Sequence, residues 1–167
     1  MIVDAHHHFW DPSRRDYPWM GDELAEIRRP FGPNDLRPLL ADNAVDKTIL
    51  VQTVSSVEET REFLETAAAN DFIAGVVGWV DLTSHTVEET IASLVGDVLV
   101  GIRHQVHDEP DPRWLLRDDV QRGIGAVGDA GLVYDLLART RELPAALETV
   151  RRTAGCPSSS TTRPSRA

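Results

Sequence analysis

The sequence has little cysteine and no long apolar run. Its single cysteine, Cys156, cannot form a disulfide within the chain, which is typical of a protein from a reducing compartment. No apolar run is long enough to span a membrane, and the amino terminus lacks the basic and apolar segments of a signal peptide. We therefore expect a cytoplasmic protein without a membrane partner.

Positive charge is also scarce. The chain has 17 Lys and Arg against 27 Asp and Glu, and its formal net charge is −10. This acidic balance argues against nucleic acid or an anionic membrane surface as a partner. The composition is otherwise ordinary for a globular protein, and 167 residues are enough for one domain with a buried core.

Strand-like and helix-like segments alternate along the chain. The predicted strands are 2–8, 47–53, 72–82, 98–105 and 132–137, and the predicted helices are 35–40, 57–70, 87–95, 114–130 and 143–153. The repeat of roughly 25 to 30 residues is that of βαβ units. Apolar strands joined by crossover helices indicate a parallel α/β sheet.

Three of the helices carry start signals. Ser56 with Glu59, and Thr86 with Glu89, have the spacing of a capping box, in which each side chain bonds the other's backbone N–H. Asn34 or Asp35 is expected to cap the first helix.

Two architectures fit this alternation: a doubly wound open sheet and a (β/α)8 barrel. No Gly-rich phosphate loop follows the first strand, which counts against a dinucleotide-binding fold. Polar residues instead gather after the carboxyl ends of several strands, namely His6, His8, Gln52, Trp79, Asp81, Arg103, His104 and Asp135. Barrel enzymes build their active sites at that face, so the barrel is favoured.

The first strand carries a His-x-His pair. Because side chains alternate along a strand, Asp4, His6 and His8 share one side. Two neighbouring imidazoles can chelate a metal ion, although the pair alone is weak evidence and is more often a pair of solvent-facing histidines. Asp4 is expected to orient a histidine through a hydrogen bond rather than to bind a metal.

Several separated motifs resemble the amidohydrolase superfamily, and within it the lactonases that open sugar-acid lactones. Residues 4–12 (DAHHHFWDP) and 16–19 (DYPW) resemble its beginning. Residues 101–104 (GIRH), with Glu109-Pro110 and Trp114-Leu115 after them, resemble its fourth-strand motif. Residues 134–137 (YDLL) resemble its fifth strand, so the resemblance extends from residue 1 to about 154.

The resemblance implies a (β/α)8 TIM-type barrel and a hydrolase in which water attacks the carbonyl of a small-molecule lactone. His6 and His8 would be metal ligands, with zinc as the expected metal, or would bind substrate in a metal-independent member. Arg103 and His104 would be catalytic, although strand alternation lets only one of them point inward. The implied substrate-binding residues are Trp10, Trp19, Gln52 and Trp79, but the two tryptophans of the first loop also suit loop packing, and Gln52 also suits a strand-end cap.

Two other functions remain open. A metal-dependent phosphoesterase or deoxyribonuclease of the same fold also begins with His-x-His, although the acidic charge counts against it. An inactive, truncated remnant of a lactonase is the second alternative. The sequence predicts neither the particular lactone nor the oligomeric state.

The family pattern continues beyond the fifth strand–helix unit, whereas this chain is expected to supply only five units, over 1–154, of a barrel that needs eight. Residues 155–167 lack apolar periodicity and are expected to be disordered. With GC-rich codons read one nucleotide earlier, this segment spells Leu-Pro-Val-Val-Val-Asp-His-Pro-Ala-Lys-Pro-Gly, which resembles the family's sixth strand. We therefore hypothesise a frameshift. DNA codons across Ser158 to Thr162 that cannot encode the valine run would refute it.

Overall fold

A computed structural model describes residues 1–154. The predicted disorder of residues 155–167 and the frameshift hypothesis concern a segment outside the described residues. The strands are β1 Val3–His7, β2 Lys47–Val51, β3 Ile73–Gly78, β4 Leu99–Gln105 and β5 Val133–Leu137. The helices are α1 Pro33–Asp42, α2 Val57–Ala68, α3 Val87–Leu94, α4 Asp118–Asp129 and α5 Leu143–Ala154, with short 3-10 helices at Asp22–Ile27, Val106–Asp108 and Trp114–Leu116.

The five strands form one parallel sheet in the order β1-β2-β3-β4-β5. In a flat sheet the backbones of β1 and β4 would lie roughly 14 Å apart. Here Arg103 on β4 hydrogen-bonds to His6 on β1, and Leu137 at the end of β5 lines the same cleft as His6. The sheet is therefore curled into a half-barrel, which confirms the predicted α/β barrel type with five strand–helix units.

The hydrophobic core lies between the sheet and its helices. Fully buried side chains from the strands, including Leu50, Val76 and Ile102, pack with Leu115 and Val127 from the helical layer. Helix α4 approaches closely because Gly123 has no Cβ, which would otherwise lie 2.3 Å from the Leu82 carbonyl oxygen. Helix α4 contains three glycines, Gly123, Gly125 and Gly128, and glycine is a poor helix former. The packing of the helix nevertheless requires Gly123.

The helix starts differ from the sequence predictions. Ser56 caps α2 by accepting from the Glu59 N–H at 3.1 Å, but the Glu59 carboxylate turns away and accepts from the Thr53 N–H at 2.8 Å. The predicted reciprocal capping boxes are therefore wrong, since Thr86 also makes no side-chain cap. Asn34 and Asp35 are not the cap of α1, which begins after Gly32, although the Asp35 carboxylate accepts from the Gly32 N–H.

Within residues 1–154, none of the helices has both the length and the apolar character needed to cross a membrane.

Candidate active site

The carboxyl ends of the strands surround an open cleft of about 360 Å³. Its lining comes from four strand ends and the first loop, namely His6, His8, Trp19, Thr53, Arg103, Gln105 and Leu137. A larger hollow of about 550 Å³ lies over the loop between Pro12 and Arg28, but none of the predicted site residues lines it. The cleft at the strand ends is therefore the candidate site.

His6 of β1 and His8, which directly follows the strand, converge in this cleft. Their Nε2 atoms are 3.1 Å apart and their rings meet edge to face at 84°. The Nδ1–H of His8 donates to the Val51 carbonyl at 2.8 Å, so its Nε2 carries the lone pair in the neutral ring. Burial lowers the pKa of His8 to about 4, and the nearby positive charge of Arg103 acts in the same direction. His8 is therefore neutral at pH 7.

Arg103 reaches the histidines from β4. The residue is only 4% exposed. Its Nη1 donates to His6 Nε2 at 3.2 Å and its Nη2 donates to the Gln52 carbonyl at 2.6 Å. Burial lowers the pKa of Arg103 from its ordinary value, while the carboxylates of Asp135 and Glu59 oppose that change. An arginine remains a cation in proteins, so the cleft holds one fixed positive charge beside the neutral imidazole of His8.

The donor set of the cleft fits part of a metal site. A guanidinium can only donate, so His6 Nε2 accepts from Arg103 and presents a lone pair, as His8 Nε2 does. Two lone pairs 3.1 Å apart without a proton between them suit a shared cation. Among residues 1–154, however, no cluster of three or more His, Cys, Asp or Glu is placed to hold a metal. His6 and His8 thus fit as two of the three protein ligands that catalytic zinc usually takes.

Asp4 stands behind this pair rather than in it. Its Oδ1 accepts from the His6 backbone N–H at 3.1 Å. The carboxylate therefore bonds to the backbone of His6 rather than to its ring, and the expected orientation of a histidine by Asp4 stays a prediction.

His104 points to the opposite side of β4 from Arg103. Its Nδ1 accepts from the Trp79 indole N–H at 3.0 Å, and its Nε2–H donates to Glu109 at 3.0 Å. Its ring stacks on Trp114 with centroids 4.2 Å apart. Neither His104 nor Trp79 lines the cleft. Their predicted catalytic and substrate-binding roles are untested, but the contacts of both are those of supports behind the site.

The other predicted substrate-binding residues also divide into two groups. Trp19 lines the cleft and is 38% exposed. Trp10 instead donates its indole N–H to the Ile27 carbonyl at 3.0 Å and packs on Phe31. Gln52 is fully buried and donates to the Arg103 carbonyl. Of these residues, only Trp19 lines the cleft.

Sequence reasoning missed three lining residues, namely Thr53, Gln105 and Leu137. The sequence pattern could have identified Gln105 as a lining residue, because it lies two residues beyond Arg103 on β4 and therefore on the same face. Thr53 likewise follows the end of β2, and Leu137 is the last residue of β5. The fourth-strand motif of residues 101–104 ends one residue before Gln105.

A family model described as Amidohydrolase matches residues 3–157. The chain is 42% identical over 151 residues to an L-fucono-1,5-lactonase of Burkholderia ambifaria, an alignment that covers 90% of this chain and 52% of the relative. It is 38% identical over 143 residues to an L-fucono-1,5-lactonase of Burkholderia multivorans, covering 85% of this chain and 48% of the relative.

Solved structures agree with these relatives. A crystal structure of an amidohydrolase from Burkholderia multivorans with bound zinc superposes with a TM-score of 0.86 at 35% identity, covering 91% of this chain and 54% of that one. Amidohydrolase 2 from Bifidobacterium longum subsp. infantis shares the fold, with a TM-score of 0.69 at 24% identity, covering 90% of this chain and 57% of that one. The chain spans about half the length of the curated relatives it matches. With its family model matched over residues 3–157, the chain belongs to the amidohydrolase family.

Proposed function

We propose that the cleft binds a sugar-acid lactone and that the chain acts in its hydrolysis. The observation that carries this proposal is the convergence of His6, His8 and Arg103 on one cleft at the strand ends. The identity of 42% to an L-fucono-1,5-lactonase supports a 1,5-lactone of that type as the substrate. A cytoplasmic location and the absence of nucleic-acid or membrane partners stay predictions.

Lactone hydrolysis develops negative charge on the carbonyl oxygen, so the cleft has to stabilise an oxyanion. Water adds to the lactone carbonyl and loses a proton, and the carbonyl oxygen becomes an oxyanion. The ring C–O bond then breaks as the leaving oxygen takes up a proton, which gives a hydroxy acid. Arg103 suits the oxyanion because its guanidinium is buried and already fixed by His6 Nε2 and the Gln52 carbonyl. Donors held in place before the reaction need no reorganisation as the charge develops. Arg103 is thus the proposed electrostatic catalyst.

His8 is a poor candidate for a general base. Its pKa of about 4 leaves it weakly basic at pH 7, where an efficient base would have a pKa closer to the working pH. A neutral imidazole with a free Nε2 lone pair is instead suited to bind a metal or to accept a hydrogen bond from substrate. We assign His6 and His8 these roles.

We further propose zinc as a cofactor, held in part by Nε2 of His6 and His8. The relative crystallised with bound zinc supports this choice, as do the two converging lone pairs. When bound, a divalent ion would polarise the lactone carbonyl or lower the pKa of a bound water. Zinc binding by His6 would require the hydrogen bond from Arg103 to His6 Nε2 to break.

The function is tested by assaying the purified chain on L-fucono-1,5-lactone, with acid release followed by a pH indicator and the spontaneous rate subtracted. Parallel reactions contain added zinc, and an Arg103→Ala preparation controls for contaminating host lactonases. Ring opening above the spontaneous rate that falls with Arg103→Ala supports the proposal. No acceleration with or without zinc would refute it and favour an inactive remnant. Cleavage of bis(4-nitrophenyl) phosphate instead would favour the phosphoesterase alternative.

A further inference from the structure

Gln105 is the last residue of β4, and its amide lines the cleft on the same face as Arg103. The side chain is half-buried, and β2 and the loop after it hold it in place. Its Nε2 donates to the Thr53 carbonyl at 3.2 Å, and its Oε1 accepts from the Ser55 hydroxyl at 3.4 Å. No step of the proposed hydrolysis uses this amide.

The two contacts fix which way the amide points. A carbonyl oxygen can only accept, so the nitrogen of Gln105 must be the atom that faces Thr53. A primary amide carries two N–H groups and an oxygen with two lone pairs. After the bonds to Thr53 and Ser55, one N–H and one lone pair of the amide remain available to a molecule in the cleft. Such a pair matches two adjacent hydroxyl groups, one accepting and one donating.

Arg103 and Gln105 lie two residues apart on β4, so their Cα atoms are about 7 Å apart and both side chains line the cleft. The two side chains can therefore contact different parts of one small lactone ring. Trp19 supplies an apolar wall of the same cleft, suited to the C–H face of a sugar. The cleft therefore combines the cationic guanidinium of Arg103 with the oriented amide of Gln105, two residues further along β4.

We propose that Gln105 forms a hydroxyl-recognition subsite that selects polyhydroxylated lactones over unsubstituted ones. This inference rests on the proposed function and names its specificity determinant. Gln105 binds a vicinal pair of substrate hydroxyls, while Arg103 faces the carbonyl. Ser55 and the Thr53 carbonyl act through Gln105 by holding its amide in one orientation.

The kinetic test compares two substrates and two variants. Gln105→Leu should lower kcat/KM for L-fucono-1,5-lactone about tenfold, the effect of one or two lost hydrogen bonds. It should leave δ-valerolactone, which has no ring hydroxyls, within about twofold of the wild-type value. Gln121→Leu, a matched change at a residue whose side chain bonds to Leu115 and Thr149 and does not line the cleft, should alter the kcat/KM of neither substrate. Equal losses on both lactones for Gln105→Leu would reduce Gln105 to a structural residue and overturn the proposal.

A binding measurement makes the inference independent of turnover. The product acid L-fuconate and its unsubstituted counterpart 5-hydroxypentanoate are titrated into ¹⁵N-labelled protein, and the side-chain amide signals of Gln105 are followed by NMR. We expect L-fuconate alone to shift these signals. Backbone amide signals of the cleft, which both proteins retain, should report binding about tenfold weaker in Gln105→Leu. Identical responses to both acids, or none to L-fuconate, would refute the subsite. Absence of lactone opening with retained, Gln105-dependent binding of L-fuconate would instead contradict only the proposed hydrolysis.

Discussion

Gln52 and Arg103 hold each other across β3, the strand that separates them in the sheet. The Gln52 amide donates to the Arg103 carbonyl at 3.3 Å, and the Arg103 guanidinium donates to the Gln52 carbonyl at 2.6 Å. Each residue thus binds the other's backbone with its own side chain. This reciprocal pair fixes the guanidinium at the edge of the cleft and makes Gln52 a positioning residue.

Replacing Gln52 should therefore lower stability and disturb Arg103. Gln52→Leu leaves the Arg103 carbonyl without its side-chain partner, and we expect a loss of about 1–3 kcal/mol in the free energy of unfolding. Urea denaturation measures this loss. Ser55→Ala is the control, because Ser55 is exposed and should change stability by less than about 0.5 kcal/mol. Equal effects of the two substitutions would show that the bond from the Gln52 side chain to the Arg103 carbonyl contributes nothing.

Arg103 itself should dominate catalysis. Removing a donor aimed at the developing oxyanion costs on the order of 100-fold or more in rate, so Arg103→Ala should lower kcat by that factor. Arg103→Lys keeps the charge but loses the planar guanidinium, which donates to both His6 Nε2 and the Gln52 carbonyl. It should therefore recover only part of the lost kcat. Steady-state lactone hydrolysis separates kcat from KM. An unchanged kcat in Arg103→Ala would leave the arginine a structural role.

Zinc should bind this chain weakly. Only His6 and His8 among residues 1–154 are placed as ligands, whereas a catalytic zinc site usually has three from the protein. Competition with a zinc-binding dye should show weak binding that is lost in the double variant His6→Ala, His8→Ala and kept in His85→Ala. Tight, stoichiometric binding that depends on His6 and His8 would reveal a further ligand.

The fold was largely predictable because local signals and tertiary structure agree. Apolar β-branched runs predict β2 and β4 to within two residues, and the alternation in β1 brings His6 and His8 together as expected. Strand alternation also limited the inward position on β4 to one of Arg103 and His104. The structure selects Arg103, because the His104 ring is held by Trp79 and Glu109 behind the strand.

The remaining details depend on contacts that sequence spacing does not encode. Glu59 has the capping-box position, but buried N–H groups of Thr53 and Val54 compete for its carboxylate and bind it instead. Gln52 follows β2 as a substrate-binding residue would, yet the curl of the sheet buries it against Arg103. These outcomes are decided by which donors and acceptors meet when distant strands come together.

His104 should make stability depend on pH. Only the neutral ring can accept from Trp79 at Nδ1 while donating to Glu109 at Nε2. Burial lowers the pKa of His104 below the ordinary value of 6.5, although the carboxylates of Glu109, Asp81 and Asp108 oppose this. As the pH falls through 6.5, the unfolded chain therefore takes up a proton that the folded chain does not, and stability is lost towards the lower folded pKa.

This dependence is measured by urea unfolding at about pH 7.5 and about pH 5.5, on either side of the unfolded pKa. His104→Phe keeps a ring against Trp114 but cannot titrate. The wild type should lose more unfolding free energy than this variant on acidification. Parallel losses would mean that other groups account for the whole pH dependence.

The two outer strands should make the isolated 167-residue chain associate. Among residues 1–154, β1 pairs only with β2 and β5 pairs only with β4, so each leaves one backbone edge unpaired. Val133 on β5 is 67% exposed, and the neighbouring α5 exposes Leu143, Leu147 and Val150 along one side. Open edges and exposed apolar patches favour pairing between chains. Light scattering after size-exclusion chromatography should therefore detect oligomers or aggregates.

A lysine on the edge tests the cause of this association. Val133→Lys should reduce it, because a charged edge residue discourages strand pairing. Val95→Lys is the matched control, since Val95 is 46% exposed but lies at the end of α3 rather than on a strand edge. If both variants associate as the wild type does, the edge of β5 is not the contact. A wild-type monomer with one sharp thermal transition would show instead that the curled half-barrel is self-sufficient and that its edges do not drive association.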